Sequence, residues 1–196
     1  HQGIFDLSYL SSVPNMHIMA PKNKWELSDM MKFALGFDAP IAVRYPRGTA
    51  YDGLEEFRAP IEYGKSEALY EEEDICIMAV GSMVETAVDV RRALKEMDYA
   101  CSLVNARFVK PIDEEQIREI AKEHKLLVTL EENVEKGGFG ESVQSFVNAH
   151  NLDIKVLTIA IGDMYVEHGN VDMLKHELGL DSECITRRIV STYVGL

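Results

Sequence analysis

A chain of 196 residues, 46% apolar and 27% charged, has ordinary globular composition, which excludes a disordered segment. Its formal charge of −13 excludes non-specific attraction to nucleic acid or anionic lipid, so neither nucleic acid nor a membrane is an expected partner. The length allows one full domain and part of a second.

The chain begins without Met, on His1-Gln2-Gly3, in a segment already dense in apolar residues. Native termini are usually frayed and polar, so this start is expected to be a cut end. Met16 to Ala20 is a short apolar run, followed after Pro21 by a helical pattern with Leu27, Met30, Met31, Ala34 and Leu35 on one face. Pro40 to Tyr45 reads as a strand, stopped by Pro46 and Gly48. Residues 49–73 shift to glycine, proline and acids and read as the crossing between two domains, with Glu71 to Asp74 as a solvated run.

From Ile75 onward strands and helices alternate. Ile75 to Val80 is a continuous apolar strand, as expected where helices cover both faces of a sheet. Ser82 with Glu85, and Asp113 with Gln116, predict capping boxes at the starts of two helices. Further strands are predicted over 100–104, 126–130 and 156–161, with helices over 141–149, 171–178 and 182–193. The order implies an α/β fold, a mostly parallel sheet flanked by helices. No apolar stretch approaches the roughly 20 residues that span a bilayer. Cys76, Cys101 and Cys184 form no CxxC pair, which fits small buried hydrophobes and a reducing, cytoplasmic setting.

Several segments carry chemistry. Gly3 permits a turn that leaves His1 able to exchange a proton near neutral pH, although a single histidine is more often a satisfied or exposed residue. Arg44-Tyr45-Pro46-Arg47-Gly48 ends a predicted strand, where ligands bind in open α/β sheets. Pro46 turns the two guanidinium groups toward different partners. Arg47 is the better candidate for a ligand anion and Arg44 for a structural ion pair, with phosphate binding and plain salt bridging equally open. Gly137 to Gly140 looks like a phosphate cradle but lacks P-loop and GxGxxG spacing, and Glu131, Glu132 and Glu135 crowd it with negative charge. Close packing of a helix start is the expectation there, and structural or interface use for Glu131 and Glu132. The histidines give no metal-ligand spacing.

HQGIFDLSYL, PNMHIMAPKNKWEL, PIAVRYPRG, RFVKPID, TLEENVEKGGFGESV and the closing EHG…LGLD together resemble the 1-deoxy-D-xylulose-5-phosphate synthase family of transketolase-like thiamine-diphosphate enzymes. The resemblance runs through the whole chain in order. It implies that residues 1–60 are the end of the pyrimidine-binding domain and 61–196 a transketolase C-terminal-like domain. The implied reaction decarboxylates pyruvate and joins the remaining two carbons to D-glyceraldehyde 3-phosphate, feeding isoprenoid, thiamine and pyridoxal synthesis. By the resemblance His1 is the active-site histidine and Arg47 holds the aldehyde phosphate, with Arg44 and Tyr45 as further candidates. Thiamine diphosphate and Mg2+ belong to the complete enzyme, a homodimer. The glutamate that activates the cofactor and the Gly-Asp-Gly segment that holds the metal are expected upstream of His1. The chain by itself is therefore expected to be inactive, with no cofactor or metal bound.

Two departures from the family pattern, the missing proline at Ile161-Gly162-Asp163 and the basic Lys22-Asn23-Lys24, are expected to lie away from the site. The competing readings are the carboxyl-terminal region of the β-subunit of a 2-oxo acid dehydrogenase and a non-catalytic α/β dimerisation module.

Overall fold

The computed structural model describes residues 3–196. In chain order the elements are α1 (Asp6–Ser11), β1 (His17–Met19), α2 (Lys24–Leu35), β2 (Ile41–Val43), β3 (Glu67–Tyr70), β4 (Asp74–Ala79), α3 (Met83–Glu96), β5 (Cys101–Asn105), β6 (Phe108–Lys110), α4 (Glu114–Glu123), β7 (His124–Val134), α5 (Phe139–Ala149), β8 (Lys155–Ile161), α6 (Val171–Glu177) and α7 (Ser182–Val194). The main sheet has the order β3-β5-β4-β7-β8. Its last four strands are parallel, and β3 is an antiparallel edge. A smaller sheet, β2-β1-β6, pairs β1 with β2 in parallel and with β6 antiparallel.

Successive side chains of a strand point to opposite faces, and β4 divides its residues accordingly. Ile75, Ile77 and Ala79 join Ala87 and Val90 of α3 and Ile185 and Ile189 of α7 on one face. Cys76, Met78 and Val80 join Ile117 of α4 and Val143 and Phe146 of α5 on the other. Every one of these positions, five from β4 and Val80 just past it, is buried, so the continuous apolar run read from the sequence is a strand covered on both sides.

Two helix starts come out differently. Asp113 caps α4, its carboxylate accepting the Gln116 N–H at 3.2 Å. Ser82 does not cap α3: it is already in the helical conformation, and its hydroxyl donates to Glu132 Oε2 at 2.6 Å. A charge-assisted bond to a carboxylate is stronger than a neutral bond to a backbone N–H, so the expected capping box does not form.

Residues 49–73 are more than a crossing, because β3 lies within them. Its inward position Glu67 is 6% exposed and belongs to a buried ionic cluster. Lys22 Nζ lies 3.1 Å from Glu26 Oε1 and 2.6 Å from Glu67 Oε2. Arg107 reaches the same two carboxylates at 2.8 and 2.9 Å. Asn105 Nδ2 donates to both Glu26 oxygens, and Arg107 also donates to the carbonyls of Ala59 and Pro60. Two cations and two anions balance, and every donor has an acceptor, which is the condition for charge to be tolerated out of water. The cluster joins α2, the connecting segment, β3 and the end of β5. Lys22, noted in the sequence as part of an unusually basic stretch, is 2% exposed at this junction.

Candidate functional site

In an open α/β sheet the ligand crevice lies beyond the C-terminal ends of the strands where the strand order reverses. Here the reversal falls between β4 and β7, because β5 lies on one side of β4 and β7 on the other. Residues from the start of the chain cover that edge. Val134 N–H donates to the Ile4 carbonyl at 2.8 Å, and Leu7 N–H to Asn133 Oδ1 at 3.2 Å. Ser8 Oγ donates to the Lys136 carbonyl and accepts from Asn133 Nδ2, each at 2.7 Å. Gly137 has φ +75°, and a Cβ there would sit 3.2 Å from that of Ser8. Gly81, just past β4, approaches Ala20 so closely that a Cβ would lie 3.1 Å away. Among the described residues this edge is occupied by residues 4–8 and serves as a seat for the segment that follows His1.

Arg44 completes the seat. It follows β2, and its Nη2 donates to the Gly3 carbonyl at 3.1 Å and the Glu132 carbonyl at 2.9 Å. The expected ion pair is replaced by two backbone contacts. Their partners are 41 and 88 residues away, a separation no local pattern reveals. The guanidinium charge still favours the ionised form of both Glu131 and Glu132, although burial outweighs it at Glu131.

Those two adjacent glutamates have different environments. Glu131 is fully buried and accepts the N–H groups of Phe139 and Gly140 at 2.9 and 2.8 Å, so its carboxylate occupies the start of α5. Burial pushes its pKa up to about 7, against the opposing pull of those two N–H groups and of Arg44. Glu132 points to Ser82 and to Lys175 of α6, at 2.6 and 3.2 Å. Burial raises its pKa, but Lys175, the Ser82 hydroxyl and Arg44 together outweigh that and hold it below the ordinary value. Gly138 and Gly140 are glycine for steric reasons: a Cβ on Gly138 would lie 2.6 Å from the Glu131 carboxylate, and on Gly140 2.5 Å from Thr158. The apparent phosphate cradle is already filled from within the chain. These residues do not fit a diphosphate, since the helix-start N–H groups are already taken by the Glu131 carboxylate.

The remaining predicted site residues are not gathered together. Arg47 and Tyr45 are exposed at the end of β2, Tyr45 to 60%. Among the described residues Arg47 has no ion pair or side-chain hydrogen bond. Gly48 follows at φ +115°, a conformation that favours glycine. His1, the predicted catalytic residue, lies outside the described residues. Sequence spacing also missed His176, Asp181 and Cys184, whose donor atoms come within 4.8 Å of one another. Asp181 there caps α7 through the Cys184 N–H at 3.0 Å and takes His176 Nδ1 at 3.1 Å, so hydrogen bonds account for the group. Among the described residues no helix is long and apolar enough to cross a membrane.

Comparison with known proteins places this geometry. The family model for the transketolase C-terminal domain matches residues 64–185, and that for the transketolase pyrimidine binding domain matches residues 1–51. A protein of Lachnoclostridium phytofermentans named 1-deoxy-D-xylulose-5-phosphate synthase is 52% identical over 96% of this chain and 30% of its own length. One of the same name from Clostridium tetani is 45% identical over 97% of this chain and 31% of its own length. The chain thus spans about 30% of the length of such relatives. Among solved structures, a split gene transketolase described as an inactive beta4 tetramer matches with a TM-score of 0.89 and 25% identity, over 97% of this chain and 62% of that one. The transketolase of Campylobacter jejuni shares the fold, with a TM-score of 0.68 at 18% identity over 94% of this chain and 27% of that one. The seat beyond β7 and the strand end at Arg47 thus lie in a chain that belongs to the transketolase family, with its C-terminal domain at residues 64–185.

Proposed function

We propose that this chain is the carboxyl-terminal part of a 1-deoxy-D-xylulose-5-phosphate synthase, which decarboxylates pyruvate and condenses the remainder with D-glyceraldehyde 3-phosphate. The observation that carries the reading is Arg47: an exposed guanidinium at a strand end, with no partner among the described residues, in a chain whose relatives bear that name. A planar fork of donors suits a phosphate monoester, and an unpaired one has its full donor capacity available. Arg44, by contrast, is engaged with two carbonyls, and Tyr45 lies exposed between the two arginines. In this reading His1 exchanges a proton with the substrate.

The division at residue 60 is part of the proposal. It is supported by the separate matches over 1–51 and 64–185. Thiamine diphosphate and Mg2+ are assigned to the complete enzyme, where the cofactor supplies the electron sink. The sequence contains no Gly-Asp-Gly, and Glu131 fills the glycine-rich helix start. A homodimer is supported by the exposed apolar set Met164, Tyr165, Val171 and Met173. A cytoplasmic setting is supported by the three free cysteines.

The test assays the chain alone and then completed with the segments its relatives carry, each with cofactor, Mg2+, pyruvate and the aldehyde phosphate. The completed protein is expected to release carbon dioxide and 1-deoxy-D-xylulose 5-phosphate, and the chain alone neither to turn over nor to bind the cofactor. A completed protein that consumes pyruvate without forming that product overturns the reading.

A further inference from the structure

We propose that Arg44 is a positioning residue of the synthase reaction: it fastens the segment carrying the active-site histidine to the end of β7 and so makes the C-terminal domain part of the catalytic geometry. The proposal rests on the synthase reading, which gives His1 its chemistry. Gly3 is two residues from His1, and its carbonyl is held by the same Arg44 nitrogen that holds the Glu132 carbonyl. Around that point the Ile4 carbonyl is bound by Val134 N–H, the Leu7 N–H by Asn133, and Ser8 by Lys136 and Asn133. Every one of these partners lies between Glu132 and Lys136, at and just past the end of β7. Glu132 is itself fixed by Ser82 and Lys175, from the turn after β4 and from α6. The histidine-bearing segment is therefore located by the C-terminal domain, and Arg44 is the link nearest the reacting residue.

Fixing a catalytic group acts on the rate of the chemical step, whereas the phosphate hold assigned to Arg47 acts on substrate binding. The two arginines of one short segment therefore separate kinetically. The decisive variant in the completed enzyme is R44K, which keeps a positive charge on the side chain and removes the Nη2 that serves both carbonyls, the shorter lysine ending before that atom's position. A displacement of about 1 Å in a catalytic group lowers turnover by roughly a hundredfold, so R44K is expected to reduce kcat at least tenfold. KM for the aldehyde phosphate is expected to stay within about threefold, since the uniform binding energy is untouched. R47A is expected to give the opposite split.

Amide hydrogen exchange supplies a readout independent of turnover: residues 4–8 are expected to exchange at least tenfold faster in R44K, while β4 and β5 keep their protection. S8A, at a partly exposed position, serves if R44K fails to fold; it removes the two hydrogen bonds of the Ser8 hydroxyl and is expected to lower kcat by roughly threefold with KM unchanged. Wild-type kcat in R44K, or in S8A where R44K does not fold, overturns the proposal, as does unchanged exchange over residues 4–8. A wild-type enzyme with no synthase turnover overturns the functional reading and the catalytic half of this proposal with it, whereas an active wild type with an unaffected R44K overturns the proposal alone.

Discussion

Arg44 and Arg47 are three positions apart and differ in every physical respect that matters. Arg44 is partly buried with two carbonyl partners, and Arg47 is exposed with none among the described residues. In the completed enzyme, R47A is expected to raise KM for the aldehyde phosphate by roughly ten- to a hundredfold, the worth of one or two charge-assisted hydrogen bonds. Steady-state kinetics against that substrate measures it, and a KM within twofold of wild type would argue that the phosphate is held elsewhere. Glu131 gives a pH prediction. Its folded pKa of about 7 lies above the ordinary 4.5, so the folded state keeps a proton that the unfolded chain releases between those values. Stability relative to E131Q should therefore decline as pH rises from 4.5 to 7, by up to ~3 kcal/mol, and be level above that. Urea unfolding of both proteins across that range tests this, and parallel profiles would reject it. Glu132 has the opposite sign: its lowered pKa gives a contribution that is present above 4.5 and is lost as the solution is acidified through the folded value.

At the scale of the element, α5 depends on what lies beneath its first turn. Gly140 is buried against Thr129 and Thr158, and a Cβ would come within 2.6 Å of the first and 2.5 Å of the second. G140A is therefore expected to cost about 1–3 kcal/mol by overpacking, despite alanine's better helix propensity. Thermal unfolding that finds G140A equal to or more stable than wild type would show that the sheet yields there. The same scale shows what periodicity can and cannot reveal. β4, α4 and α5 were legible because their inward positions are apolar at strand or helix spacing. β3 was not, since only one of its two inward positions, Leu69, is apolar while the other, Glu67, is an ion-paired charge, and a four-residue strand with a single buried apolar residue shows no alternation to read. The Asp113 cap was legible because it is local, whereas Ser82 bonds to a residue fifty positions away.

For the whole molecule, the junction cluster of Lys22, Glu26, Asn105, Arg107 and Glu67 joins the two segments. Removing one of its four charged members leaves an uncompensated buried charge, so E67A is expected to destabilise the fold by roughly 3–5 kcal/mol. A denaturant titration that detects less than ~1 kcal/mol would mean that water or a rearranged neighbour neutralises the cations. The six-residue run from Asn105 to Lys110 shows how closely the segments are joined: β5 ends at Asn105 in the main sheet, and β6, from Phe108, pairs with β1 in the smaller one. By itself the sequence determined the α/β class, the alternation of elements after residue 74 apart from β6, and the strand end that carries Arg47. All of these follow from local spacing of apolar residues and from the fixed stereochemistry of proline and glycine. Only the tertiary structure decided that Lys22 is buried, that the glycine-rich helix start is filled by Glu131, and that Arg44 ties the segment after His1 to β7. Each depends on a partner distant in the chain, and the energy of a buried charge or hydrogen bond is set by where the fold puts its partner.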